Sequence, residues 1–117
     1  MNESFNVISI AQVEDIAAGD KNFIKELVDI FLSQIPDFSS KILSAYKTEN
    51  WMVLAREAHT AKSSVMTFGM EETAKLLKKI QINCEESNLT EVSEMVNKVI
   101  SDLDAAIPEL EKLKQSY

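Results

Sequence analysis

Turn formers are almost missing from this chain: its 117 residues include two glycines and two prolines. Architectures with many tight turns need more of both, so the scarcity argues for a few long helices with short connections. One cysteine, Cys84, cannot close an internal disulfide, and one histidine, His59, leaves no set of ligands at metal-binding spacing. Positive charge is short as well, with 12 Lys and Arg against 19 Asp and Glu, a net of −7, and no basic stripe interleaved with aromatics. A field of that sign repels a phosphate backbone, so nucleic acid is not an expected partner. No apolar run reaches the ~18 residues of a membrane span, and no basic n-region with an apolar core opens the chain as in a signal peptide. No Gly-rich phosphate loop exists, so the chain supplies no ATP site and is no kinase by itself. These exclusions leave a cytoplasmic protein without a cofactor of its own.

Apolar residues make up 45% of the sequence and recur at helical spacing. The length fits one domain over residues 1–117 with a single core, and the initiating Met and compact length favour a stand-alone protein, expected as a monomer. Residues 1–8 are weakly patterned, loose or extended. Ser9 can cap a short helix to about Ala18 with Ile10, Val13, Ile16 and Ala17 on one side, after which Gly19 stops it. Asp20 is a good N-cap for the next helix, whose stripe of Ile24, Leu27, Val28, Phe31 and Ile35 continues past Pro36 as Phe38, Ile42 and Tyr46. Pro36 should kink this helix near 33–35, although Ser39 and Ser40 also allow a break into two.

Asn50 is the expected cap of a third helix, with Trp51 packed on the bundle and Gly69 as its C-terminal stop. A fourth helix over about 71–86 turns Ala74, Leu77, Ile80 and Cys84 inward; its Lys75, Lys78 and Lys79 form a solvated face or attract an acidic partner. Thr90 can cap the last helix, with Val92, Val96, Val99, Leu103, Ile107 and Leu110 at core spacing. Pro108 should bend that helix and leave a charged end that frays. Four amphipathic helices with short turns predict an all-α, up-down four-helix bundle with a short extra N-terminal helix.

One stretch carries chemistry. In R-E-A-H-T-A-K-S-S-V-M-T-F-G, residues 56–69, the apolar positions Leu54, Ala58, Ala61, Val65 and Phe68 make one stripe, and His59 points about a third of a turn away from it. A neutral imidazole is a nucleophile near pH 7, and a phosphoryl group on its ring would bring about two negative charges. Lys62, one turn along the same face, is placed to offset them. Ala55 and Ser63 add little bulk beside the ring. A partner could approach over Ala55, Arg56, Ser63 and Met66, with Met70 at the edge. Met66 and Met70 fit equally well as fillers of the core edge.

A-H-T-A-K-S-S-V-M-T-F-G-M resembles the signature of histidine-containing phosphotransfer (HPt) domains, commonly A-H-x-L-K-G-[SA]-x-x-x-[LIF]-G-[AM]. The following E-E-T-A-K-L-L-K-K-I-Q is similar to the family's next helix, so the resemblance spans essentially the whole chain. Ser63 departs from the usual glycine, and Ala61 and Thr73 from usual leucines. The resemblance implies a histidine phosphotransfer protein of a multistep two-component phosphorelay. His59 would take phosphate from a receiver-domain aspartyl phosphate and pass it to another receiver. Lys62 would offset charge, and Gln81, at the position where the family often has Gln or Glu, would accept from the inward ring nitrogen; from spacing alone Gln81 reads equally as an exposed glutamine. The implied partners are response-regulator receivers or a hybrid sensor kinase, with Mg²⁺ brought by the receiver. The competing expectation is a non-catalytic helical adaptor in which His59 is silent. It accounts for the bundle but not for His59, Lys62 and Gly69 together.

Overall fold

The computed structural model describes residues 5–117. Five helices occupy them: α1 (Ala11–Ala17), α2 (Lys21–Lys47), α3 (Trp51–Thr67), α4 (Glu71–Glu85) and α5 (Val92–Gln115). α3 packs on α2 and α4, α5 packs on the same two from the other side, and α1 leans on α2. With tight turns between successive helices, this is the antiparallel four-helix bundle with a short N-terminal helix that the periodicity predicts. The body measures 46 × 20 × 20 Å, and its length is set by α2, whose 27 residues reach about 40 Å at 1.5 Å per residue.

The apolar stripes meet along the bundle axis. Phe31, Ile35 and Ile42 of α2, Leu54 and Val65 of α3, Leu77 and Ile80 of α4, and Leu103 and Leu110 of α5 are essentially sealed from solvent. Phe31 stacks on Phe68 with ring centroids 4.9 Å apart, which pins the end of α3 to the middle of α2. Trp51 sits edge-on to Tyr46 at 6.1 Å and packs against the core, as expected of an anchor. Thr73, in place of a leucine, is buried yet satisfied, because its hydroxyl donates to Asp102 of α5 at 2.8 Å.

Two expected caps hold and two do not. The Asp20 side chain accepts from the Phe23 N–H, and Asn50 accepts from the Val53 N–H. Ser9 caps nothing: α1 begins after Ile10 with no side-chain cap, and the Ser9 N–H donates to the Phe68 carbonyl at 2.8 Å. Thr90 is also out of place, since Glu91 occupies the N-cap of α5 without a side-chain bond.

α2 runs unbroken through Pro36, so the proline removes one donor without ending the helix, and Ser39 and Ser40 introduce no break. α5 likewise continues past Pro108 to Gln115. Its end is docked, contrary to the expected fraying: Leu110 and Leu113 are buried, and Lys114 pairs with Asp29 of α2 at 2.7 Å. Of the loosely patterned residues 1–8, the first four lie outside the described residues. The rest are tied down: Phe5 packs against the core, and the Glu109 carboxylate accepts from the backbone N–H groups of Asn6, Val7 and Ile8 at 3.0–3.1 Å.

Gly69 ends α3 for two separate reasons. It lies at φ +70, where the Gly69 N–H donates to Met66 and the Met70 N–H to Val65, closing the turn as in a Schellman cap. A Cβ there would also fall 2.5 Å from the Ser9 Cβ and 2.9 Å from the Ser9 carbonyl. Glu49 and Ser87 make the equivalent turns after α2 and α4 at φ 56 and 59 without glycine. Only at Gly69 does a chain segment press on the missing side chain.

Candidate functional site

His59 stands exposed in the middle of α3. Small residues let α4 come close beside it: Ala55, Ala58 and Ala61 of α3 and Ala74 of α4 are all buried, and interaxial distance follows the bulk at the contact. Across that short gap the His59 Nδ1 lies 3.3 Å from Gln81 Oε1. The Gln81 Nε2 in turn donates to Glu85 Oε2 at 3.3 Å, one turn further along α4. A carboxylate only accepts, so the amide NH₂ faces Glu85 and the amide oxygen faces the ring. In that arrangement a ring protonated on Nδ1 donates to Gln81 and leaves its Nε2 lone pair toward solvent. Gln81 thus stands beside the histidine, where the family resemblance implies it. Glu85 was not anticipated, although its i+4 spacing from Gln81 was visible.

Lys62 is half-buried one turn from His59, and Arg56 and Ser63 are exposed on the neighbouring positions of α3. Arg56 lies 4.0 Å from Glu57, a surface pair of small energetic weight. Ala55 does not belong to the exposed face. It is 3% exposed, because four residues back is about 40° round the helix, on the flank that α4 covers. Met70 is 3% exposed and fills the core, whereas Met66 is 43% exposed.

The second exposed methionine is Met52, at 68%. Met52 and Met66 stand seven residues before and after His59, each within about 20° of its direction, so the histidine lies between two flexible apolar side chains. Seven-residue spacing was the signal that could have found Met52. Beside the histidine an open recess of about 390 Å³ lies between α3 and α4, lined by Lys62, Met66, Glu71, Ala74, Lys75 and Lys78. Lys75 is engaged by Glu72 at 3.3 Å.

Cys84 is buried on the inner face of α4, and burial with the nearby Glu85 charge pushes its thiol above the ordinary value. It takes no part in the site. Among the described residues no group of three or more His, Cys, Asp and Glu could hold a metal ion, and no helix is long and apolar enough to cross a membrane.

The chain is similar in fold to a solved structure, the histidine-containing phosphotransfer protein B (HptB) of Pseudomonas aeruginosa PAO1. The two align with a TM-score of 0.87 at 13% identity, over 97% of this chain and 99% of the other. No curated protein sequence matches significantly. The Hpt domain family matches residues 26–114, from the first third of α2 to the last turn of α5 and including every residue around His59 described above. The chain therefore belongs to the Hpt domain family, the histidine phosphotransfer proteins of phosphorelays.

Proposed function

We propose that His59 is the phosphoryl acceptor, taking the group from an aspartyl phosphate on a receiver domain and returning it to a second receiver. The observation that carries this is the approach of Gln81 Oε1 to His59 Nδ1 at 3.3 Å, which engages one ring nitrogen and leaves Nε2 as the nitrogen free to react. Nε2 attacks phosphorus, the P–O bond to the receiver aspartate breaks, and its carboxylate leaves with the electron pair. The Nδ1 proton stays where it is, shared with Gln81, so the reverse transfer needs no proton to move. An acyl phosphate is already reactive, and the protein need only present the nucleophile in line and offset charge. Lys62 supplies that offset from one turn away. On this reading the step needs no metal held by this chain, and Mg²⁺ comes with the receiver.

The docking face is the exposed strip of α3 from Met52 to Met66, with Arg56, Ser63 and the Lys62 recess around His59. Methionines adapt to more than one partner shape, as an intermediate serving both a donor and an acceptor requires. On this reading the protein works as a cytoplasmic monomer that exchanges phosphate with receivers or a hybrid sensor kinase.

Incubation with a receiver carrying labelled aspartyl phosphate tests the reading. Wild type should acquire label that is acid-labile and base-stable, and His59→Gln should acquire none while keeping its helical content. Lys62→Ala should slow transfer without abolishing it, and Ser63→Gln should block docking that Ser63→Gly permits. A folded wild type that no receiver of a broad panel labels would leave the silent adaptor as the better account.

A further inference from the structure

We infer that Glu85 is a positioning residue for the phosphotransfer: it fixes the Gln81 amide and thereby the tautomer of His59. The inference rests on the reading of His59 as the acceptor, but its central measurement needs no phosphate. An amide has two nearly isosteric orientations, and nothing in the His59–Gln81 pair alone selects one. With the NH₂ turned toward the ring, Gln81 would donate to Nδ1, and the ring proton would move to Nε2. The nucleophilic lone pair would then be engaged by the protein, and the face open to a partner would carry an N–H. Free imidazole side chains themselves favour the Nε2–H form, so an unassisted His59 would default toward the unproductive state.

Glu85 breaks the symmetry. Its Oε2 lies 3.3 Å from Gln81 Nε2, and turning the amide over would set two acceptor oxygens against each other. The other polar side chains close to this group do not offer the same service. Lys62 and Lys78 stand beside the recess on the opposite side of Gln81 from Glu85. Among the described residues the Gln81 side chain bonds only to His59 and Glu85. Glu85 has a second effect in the same direction. When Nε2 bonds to phosphorus with the Nδ1 proton retained, the ring becomes cationic, and a carboxylate one hydrogen bond beyond the amide stabilises that charge.

Nitrogen-15 NMR of the neutral imidazole reads the tautomer directly in the free protein. Wild type should be predominantly Nδ1–H. Glu85→Ala should relax that preference, and Glu85→Lys, which donates to the Gln81 oxygen and turns the amide over, should invert it. Glu85→Gln keeps an acceptor and should stay closest to wild type. Glu86→Lys makes the same charge change on the next residue, off the Gln81 face, and should leave the tautomer as it is. Because rate follows the fraction of competent ring, transfer to Glu85→Lys should fall about tenfold, with Glu86→Lys near wild type. An unchanged Nδ1–H preference in folded Glu85→Ala and Glu85→Lys would overturn the inference. A tautomer that responds as described in a protein that no receiver labels would instead overturn the phosphotransfer reading and leave the Glu85 contact standing.

Discussion

α3 and α4 carry every residue of the proposed site, are 17 and 15 residues long and contain no proline. α2 and α5 carry none of it, are 27 and 24 residues long, and each has a proline in its interior. The two pairs also bury different things. α2 and α5 bury large side chains such as Phe31, Ile35, Phe38, Leu103 and Leu110, whereas three of the five buried residues of α3 are alanines. An interior proline costs about 3 kcal/mol or more, a cost that a long, heavily buried helix offsets and a short, lightly buried one does not. What the short pair gains from its alanines is proximity: α4 comes near enough for Gln81 to reach His59. The long pair supplies most of the large buried apolar side chains, and the short pair holds two polar side chains at bonding distance on a wet surface. Substitutions in the long pair should therefore change stability alone, and those where α3 and α4 meet around His59 should reach the site.

The largest effect is expected at the turn joining the short pair. Gly69→Ala places a side chain at φ +70 and against Ser9, which should cost about 2–4 kcal/mol from the left-handed backbone and the overlap together. Chemical denaturation would show the loss, and the displaced start of α4 should weaken the His59–Gln81 bond and slow transfer. A substitution that cost stability with no change in transfer would mean the turn does not set the α3–α4 register.

Glu109→Ala comes next, on the long pair. It removes the acceptor of three backbone N–H groups and should cost about 1–2 kcal/mol, since bonds to a charged acceptor are the stronger kind and this one is partly solvated. Hydrogen exchange at Val7 and Ile8 should accelerate while transfer at His59 stays at the wild-type rate. Slower transfer would show that the N-terminal segment, through Ser9 and Gly69, reaches the site after all.

These two residues also mark where the sequence could and could not be read. Features encoded within one helix or turn were legible: the apolar stripes, the caps at Asp20 and Asn50, the stop at Gly69, and the face shared by His59, Lys62 and Ser63. Glu109 was not, because its partners lie about a hundred residues away, and no local pattern distinguishes a carboxylate that ties down a distant non-helical segment from one in solvent. For the same reason the end of α5 read as charged and fraying: Lys114 finds Asp29 only once α2 and α5 are packed. Ala55 is covered rather than exposed, and of the two readings open for Met70 the core-filling one holds, because helix phase gives a direction but not which neighbour covers it. α4 covers Ala55, and the turn at Gly69 folds Met70 inward. The helical order is a matter of periodicity, while the His59–Gln81–Glu85 chain depends on how closely two helices approach.

Ser39→Ala should act in the opposite direction from the first two. The Ser39 hydroxyl is buried on α2 without a hydrogen-bond partner, and removing an unsatisfied polar group should stabilise by about 0.5–1 kcal/mol. A higher denaturation midpoint with unchanged transfer would support the long pair as a scaffold that can be improved without touching the chemistry. A destabilised variant would mean that the hydroxyl is satisfied in solution, by water entering near Pro36.

The smallest effect concerns pH and returns to the short pair. Burial holds the Cys84 thiol above its ordinary value, so the folded state binds that proton more tightly than the unfolded chain does. Its contribution is complete below the ordinary thiol range and is lost as pH rises through the folded value, because the unfolded chain ionises first. The Tyr117 phenol, raised by burial and by Glu14, adds a loss of the same sign at higher pH. Stability should therefore decline from about pH 8.5 upward, starting near the unperturbed thiol value. Cys84→Ala in a Tyr117→Phe background should flatten the slope, and Tyr117→Phe alone should leave its lower part. An equal slope in the double variant would assign the alkaline loss to the surface lysine pairs, and with it to both pairs of helices alike.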